Sequence, residues 1–106
     1  MMKVAEMIMT VARDRGLGHF FGIPGGGPPL DLIEAGRKLG VRFVNMSHES
    51  SAAIAAAYYG ELKSTAGLAM GIRGVGAANM AGGVANVHFE RLPLVARPWP
   101  EGKRPV

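Results

Sequence analysis

The sequence predicts an α/β domain in which helices cover both faces of a parallel sheet, giving three αβα layers. Segments with apolar residues at helical spacing alternate along the chain with short apolar runs typical of strands. Each run is separated from the next by a single helix, and such connections join parallel strands through right-handed crossovers. A chain of 106 residues, 48% hydrophobic and 19% charged, is the size of one packed domain.

The first half of the chain is predicted to form two helix–strand units. Apolar residues over positions 4–12 recur at helical spacing, and the Gly16-Leu-Gly segment ends this helix. His19–Gly22 is the first strand, and residues 41–44 are the second. The helix between them covers residues 29–39, beginning at a proline because the first amides of a helix have no intrahelical partner.

The second half repeats the alternation. The predicted elements are a helix over residues 48–63, a strand over 66–71, a helix over 77–88 and a strand over 92–95. Ser47 is the expected N-cap of the third helix, whose alanine-rich interior permits close packing on a sheet. Gly74 and Gly76 are expected to form a loop before the fourth helix.

The composition changes at Ala96. Residues 97–106 contain three prolines and three basic residues, without periodicity. We therefore divide the chain into a domain over residues 1–95 and a proline-rich basic tail over residues 96–106. Pro98 and Pro100 are expected to prevent the last strand from continuing.

Composition argues against several function classes. The chain has no cysteine, which excludes disulfides and thiol catalysis, and its three histidines lack metal-ligand spacing. The formal charge of +4 is scattered and not interleaved with aromatic residues, so we expect no nucleic-acid partner. No apolar run approaches the ~18 residues that a membrane span requires, and Glu6 interrupts the start of the chain where a signal peptide would be apolar. We therefore expect a cytoplasmic protein without a metal site of its own.

Three loops are predicted to meet at one edge of the sheet. Residues 22–26, 46–49 and 73–76 each follow a predicted strand, and parallel sheets bind ligands beyond the carboxyl ends of their strands. Taken singly, the glycine loops are explained by tight turns, and Glu49 by the ~0.3–1 kcal/mol that a carboxylate gains at a helix start. The sequence has neither a complete dinucleotide fingerprint nor a P-loop. A nucleotide-binding module is therefore only the third-ranked hypothesis for the function of this chain.

Several short motifs in this order resemble the N-terminal pyrimidine-binding domain of thiamine-diphosphate enzymes. They are Gly-Ile-Pro-Gly at 22–25, His-Glu-Ser-Ser at 48–51, Ala-Tyr-Tyr-Gly at 57–60, Arg-Gly-Val-Gly-Ala-Ala-Asn at 73–79, Gly-Gly-Val-Ala-Asn at 82–86 and Leu-Pro-Leu-Val at 92–95. The nearest group is the superfamily of acetolactate synthase, benzoylformate decarboxylase and pyruvate oxidase. The resemblance covers residues 3–95 and leaves the substrate open.

The resemblance implies a catalytic role for Glu49. In that family the matching glutamate hydrogen-bonds N1′ of the cofactor's aminopyrimidine, which favours removal of the proton from the thiazolium C2. A carboxylate that hydrogen-bonds a charged or protonated partner in a water-poor cleft gains about 1.5–3 kcal/mol. Proton transfer of this type contributes roughly 10²–10⁴-fold to rate. The expected substrate is a 2-oxo acid.

The resemblance also implies cofactor-binding positions. Gly25 and Gly26 match a loop near the substrate. Gly74, Gly76 and Asn79 match the loop and helix start beside the aminopyrimidine, where missing side chains allow close approach.

The resemblance is incomplete, which predicts a portion of a thiamine-diphosphate-binding fold. The diphosphate-binding domain, which in the family supplies the magnesium ligands, has no counterpart in this sequence. We therefore expect a homo-oligomer, or a partner chain carrying that domain, and an N-terminal portion of a decarboxylase or carboligase that is inactive alone. The alternative is a truncated or degenerate, non-catalytic member of the fold that serves binding or assembly.

Overall fold

Helices and strands alternate without interruption in the computed structural model, which describes residues 4–23, 28–72 and 75–99. The elements are α1 (Val4–Asp14), β1 (His19–Gly22), α2 (Pro28–Leu39), β2 (Arg42–Asn45), α3 (Glu49–Leu62), β3 (Gly67–Ile72), α4 (Val75–Phe89) and β4 (Leu94–Trp99). All strand pairs in the described residues are parallel, and the sheet order is β2–β1–β3–β4. The predicted α/β class is confirmed.

The strand order reverses direction between β1 and β3. From β1 the chain crosses through α2 to β2 on one side, whereas from β3 it crosses through α4 to β4 on the other. Phe21 pairs with Ala69 and Gly22 with Met70 at this central junction. In an open parallel sheet, the reversal opens a crevice at the carboxyl ends of the two central strands. The carboxyl ends of β1 and β3 are therefore the place where this fold is expected to bind a ligand.

One face of the sheet carries the larger core. Phe20, Leu68 and Met70 point from β1 and β3 toward α1 and α2, where they meet the fully buried Met9 and Leu32. Such large, fully buried side chains each contribute about 1.5–3 kcal/mol of hydrophobic stabilisation. This face holds α1 and α2 against the central strands.

The opposite face is built from small residues. Ala53 and Ala56 of α3 and Met80 of α4 pack with Ala69, the residue between Leu68 and Met70 in β3. This alternation follows from the two-residue period of a strand, in which successive side chains point to opposite faces. The alanines bring the α3 backbone against the sheet, so that Gly67 has no space for a side chain beside Ala56. Together, the two cores produce the predicted three layers.

The prediction that the last strand covers residues 92–95 is wrong at both ends. β4 begins at Leu94 and extends to Trp99, with Pro98 in register with Gly71 of β3. β4 lies at an edge of the sheet described here and pairs on one side only. A residue without an N–H is tolerated at such an edge. Residues 96–99 therefore belong to the sheet, and the predicted tail remains a prediction for residues 100–106, which lie outside the described residues.

Two helix starts also differ from the prediction. α4 begins at Val75, so Gly76 lies inside its first turn and not in a loop. Glycine is a weak helix former, but tertiary structure routinely overrides such local propensity. α3 is capped by His48 and not by Ser47. The start of α4 therefore lies closer to the end of β3 than predicted, whereas the start of α3 is one residue later.

Candidate functional site

The described parts of the predicted site lie at the carboxyl edge of the sheet. The N–H of Met46, just after β2, donates to the carbonyl oxygen of Gly22, the last residue of β1, at 2.9 Å. Helices α2, α3 and α4 all begin at this edge, each after the preceding strand has ended. Helix N-termini carry partial positive charge, and this edge therefore favours acidic side chains and anionic groups.

Glu49 is the first residue of α3 and is half-buried at this edge. Within the described ranges, no hydrogen bond or ion pair joins its side chain to another residue. A half-buried carboxylate without a protein partner keeps its hydrogen-bonding capacity for a ligand. The structure thus confirms that Glu49 opens a helix at the carboxyl edge. The ligand group that the Glu49 carboxylate would hydrogen-bond stays a prediction.

His48 closes the N-terminus of α3. Its backbone is extended, with φ −151° and ψ 147°, and its Nδ1 accepts the N–H of Ser50 at 3.0 Å. A side-chain acceptor at the N-cap satisfies one of the amides that a helix start leaves unpaired. With Nδ1 occupied in this way, His48 acts as a structural cap, and only Nε2 remains for other contacts.

Ser50 is a site residue that the sequence pattern did not identify. Its hydroxyl donates to the carbonyl oxygen of Asn79 at 2.6 Å and accepts the N–H of Gly83 at 3.0 Å. The first turn of α3 is thereby joined to α4, next to Glu49. The sequence carried one indirect signal: the paired glycines at 82 and 83 indicate that another backbone approaches α4 closely.

The predicted cofactor-binding positions are only partly described. Asn79 lies in α4 with its side chain exposed, and its backbone carbonyl is the group that contacts Ser50. Gly76 lies in the same helix, one turn earlier. Gly25, Gly26 and Gly74 lie outside the described residues, and their predicted role is untested.

Two features are absent from residues 4–23, 28–72 and 75–99. These ranges contain no cluster of three or more His, Cys, Asp or Glu side chains arranged to hold a metal ion. Nor is any helix within them long and apolar enough to cross a bilayer.

An apolar groove lies elsewhere, between α1 and the strands β3 and β4. Its volume is about 440 Å³, and its lining includes Met7, Val11, Leu68 and Val95. Three of these side chains, those of Met7, Val11 and Val95, are more than half exposed, at 53%, 57% and 52%. The groove is an uncovered part of the apolar face.

The fold is a parallel α/β sheet with a half-buried carboxylate, that of Glu49, at its carboxyl edge. The sequence matches the family model described as "Thiamine pyrophosphate enzyme, N-terminal TPP binding domain" over residues 2–96. Since the match covers nearly the whole chain, this protein belongs to that family; thiamine pyrophosphate and thiamine diphosphate are the same compound.

Curated relatives agree with this assignment. The chain is 32% identical over 92 residues to the acetolactate synthase large subunit of Buchnera aphidicola subsp. Acyrthosiphon pisum (strain APS), covering 86% of this chain and 16% of the relative. It is 35% identical over 96 residues to indole-3-pyruvate decarboxylase of Azospirillum brasilense, covering 89% and 17%. It is 30% identical over 91 residues to human 2-hydroxyacyl-CoA lyase 1, covering 86% and 16%.

The matches cover very different shares of this chain and of its relatives. Nearly all of this chain takes part in the matches, yet it spans only 16–17% of the length of each relative. The matches therefore concern one part of those enzymes.

Proposed function

We propose that this chain is the N-terminal, aminopyrimidine-facing portion of a thiamine-diphosphate-dependent decarboxylase or carboligase that acts on 2-oxo acids in the cytoplasm. The observation that carries the proposal is the half-buried carboxylate of Glu49 at the carboxyl edge of the sheet, without a partner among the described residues. Family membership supplies the cofactor class. The names of the relatives include a synthase, a decarboxylase and a lyase.

The residues of this chain fit an aminopyrimidine. A glutamate oxygen can accept a hydrogen bond from a protonated ring nitrogen, and Glu49 is positioned with spare acceptor capacity. We propose that a further domain holds the diphosphate and its magnesium ion, since this chain spans only 16–17% of the length of each relative.

In the proposed site, each element has a definite task. Glu49 accepts a hydrogen bond from N1′ of the pyrimidine and so holds a proton at that atom. His48 fixes the start of α3, which orients Glu49. The segments that carry Gly25, Gly26, Gly74 and Gly76 let the backbone approach the ring. When bound, thiamine diphosphate supplies the electron sink for cleavage or formation of a bond to the carbonyl carbon.

The proposed partner is a second copy of this chain or another chain that carries the diphosphate-binding domain. The support is the coverage: this chain matches only one part of each relative, while their whole lengths carry the named activities. The uncovered apolar groove beside β4 is also the kind of surface that a further domain covers.

Calorimetric titration of the purified chain tests the proposal. The titrants are thiamine and thiamine diphosphate, each with and without magnesium. If the chain holds only the aminopyrimidine half of a site, both compounds bind weakly, with similar affinity, and magnesium changes nothing. Magnesium-dependent binding of the diphosphate alone would contradict the assignment of that group to another domain. Absence of binding to either compound would contradict the proposed half-site and favour a non-catalytic member of the family.

A further inference from the structure

The hydroxyl of Ser50 lies between two backbone groups of α4 that are partners in a regular helix. It donates to the carbonyl of Asn79 at 2.6 Å and accepts from the N–H of Gly83 at 3.0 Å. In an α-helix the N–H of residue i bonds the carbonyl of residue i−4, and positions 83 and 79 are such a pair. A serine hydroxyl has one donor and two acceptor sites, so a single side chain satisfies both contacts.

The two backbones meet at the same place. A Cβ built on Gly83 would lie 2.5 Å from the carbonyl oxygen of Ser50 and 2.8 Å from its Cα. α3 therefore crosses α4 with backbone against backbone at Ser50, and the side-chain bridge is added to that contact. Both translation and rotation of the start of α3 relative to α4 are restricted, because the bridge has direction as well as distance.

Ser50, whose position is restricted in this way, lies next to the proposed catalytic residue, Glu49. Glu49 directly precedes Ser50, and Asn79 lies one turn after Gly76 in α4. Among the described residues, the Ser50 hydroxyl makes the side-chain hydrogen bonds that join α3 to α4. The neighbouring Ser51 has no such bond in those ranges, and its side chain is exposed.

We propose that Ser50 is a positioning residue for the proposed aminopyrimidine site: it fixes the carboxylate of Glu49 relative to the first turns of α4. This inference rests on the proposed function. Its physical reason is that displacement of a reacting group by about 1 Å can cost about 10²-fold in rate, so that a carboxylate at a helix end requires an anchor.

The first test uses the cofactor-free chain. ¹⁵N relaxation gives the order parameter of the Glu49 amide in the wild type, in Ser50→Ala and in Ser51→Ala. The two variants make the same chemical change at adjacent helix positions, but only the first removes the bridge. We expect the order parameter at Glu49 to fall in Ser50→Ala and to stay at the wild-type value in Ser51→Ala. Equal values in both variants would overturn the anchoring role.

The second test uses thiamine as the probe and follows the ¹³Cδ signal of Glu49 during titration. In Ser50→Ala we expect the half-saturating thiamine concentration to rise about tenfold, while Ser51→Ala titrates like the wild type. Tyr59→Phe, which removes a hydrogen bond at the opposite end of α3, controls for general loss of stability and should also titrate like the wild type.

The outcomes separate the two proposals. If Glu49 of the wild type does not respond to thiamine, the proposed function is overturned and the positioning role falls with it. If the wild type responds and Ser50→Ala responds equally well, the positioning role alone is overturned. A loss confined to Ser50→Ala supports both. A loss shared with Tyr59→Phe would assign the effect to stability and overturn the positioning role.

Discussion

Gly83 of α4 lies directly against the backbone of Ser50 in α3. A Cβ on Gly83 would lie 2.5 Å from the Ser50 carbonyl oxygen, whereas a Cβ on the preceding Gly82 would lie 3.5 Å from the Ser50 hydroxyl oxygen. The first distance is shorter than side chains tolerate, and the obstructing atoms belong to the backbone. The second is an ordinary van der Waals contact. Gly82 therefore has space for a methyl group, whereas the adjacent Gly83 does not.

This difference predicts opposite effects of two alanine substitutions. Gly83→Ala should lower the free energy of unfolding by about 1–3 kcal/mol, because the two helices must separate to admit the methyl group. Gly82→Ala should raise it by up to about 1 kcal/mol, because alanine is the better helix former. Urea denaturation followed by circular dichroism measures both. Equal destabilisation by the two substitutions would show that the helices do not cross at Gly83.

Tyr59 fixes the opposite end of α3 to the start of β1. Its hydroxyl accepts the N–H of Gly18 at 2.9 Å and hydrogen-bonds Nδ1 of His19 at 3.2 Å. Tyr59→Phe should lower the free energy of unfolding by about 1–2 kcal/mol, since the amide of Gly18 loses its acceptor. For a domain of this size, that corresponds to a fall in melting temperature of at least about 4 °C.

The adjacent Tyr58 provides the control for this prediction. It is 48% exposed, and its hydroxyl makes no hydrogen bond within the part of the chain that the structure describes. Tyr58→Phe should therefore change stability by less than about 0.5 kcal/mol. The prediction for Tyr59 would be refuted if thermal unfolding shifted equally in both variants.

The alternation of helices and strands could be predicted from the sequence because it depends on local periodicity. β1 was placed at its observed bounds, since Gly18 and Pro24 limit a short apolar run at His19–Gly22. The end of β4 could not be predicted in this way. Whether Pro98 continues a strand depends on whether that strand lies at an edge, and the order of the strands is a property of the tertiary structure.

The same distinction applies to the candidate site. The position of Glu49 at a helix start followed from the sequence order, because a helix after a parallel strand begins at the carboxyl edge. Its half-burial and its lack of a described partner depend on residues distant in sequence. The bridge that Ser50 forms could not be predicted, because its contacts are with residues 79 and 83, which are distant in sequence. A serine in the sequence can cap a helix or bridge two helices, and the residue identity alone does not distinguish these roles.

The ion pair of Glu34 and Arg37 predicts a pH effect on the surface of α2. Both side chains are exposed, and Arg37 hydrogen-bonds Glu34 and lowers the pKa of that carboxyl below its ordinary value of 4.5. Because the pKa is lowered on folding, the pair stabilises the protein above the unfolded-state pKa. That contribution is lost as the pH falls through the folded-state pKa.

Arg37→Gln should raise the pKa of Glu34 toward its ordinary value, as an NMR titration of the glutamate carboxyl signals would show. The stability of Arg37→Gln and of the wild type should differ slightly at neutral pH and converge in acid, because an exposed pair contributes little. Arg42→Gln, at an exposed position of β2, serves as the control. An unchanged Glu34 titration in Arg37→Gln would contradict the ion pair in solution.

The charge of Glu49 should decide both binding and proton transfer in the proposed site. Glu49→Gln keeps the size of the side chain but replaces a charge-assisted hydrogen bond, which contributes about 1.5–3 kcal/mol, with a neutral one, which contributes about 0.5–1.5 kcal/mol. Thiamine should therefore bind about tenfold more weakly to Glu49→Gln, as measured by calorimetry. In a complex with a chain that carries the diphosphate-binding domain, exchange of the cofactor's C2 proton should be abolished.

Glu61→Gln is the matched control for this prediction, because it makes the same charge change in the same helix. Glu61 is exposed near the C-terminal end of α3, about 18 Å along the helix axis from Glu49 at a rise of ~1.5 Å per residue. A surface charge at that distance is largely screened at physiological ionic strength, where the Debye length is about 8 Å. Equal losses in both variants would assign the effect to net charge, and unchanged proton exchange in Glu49→Gln would remove Glu49 from the proposed mechanism.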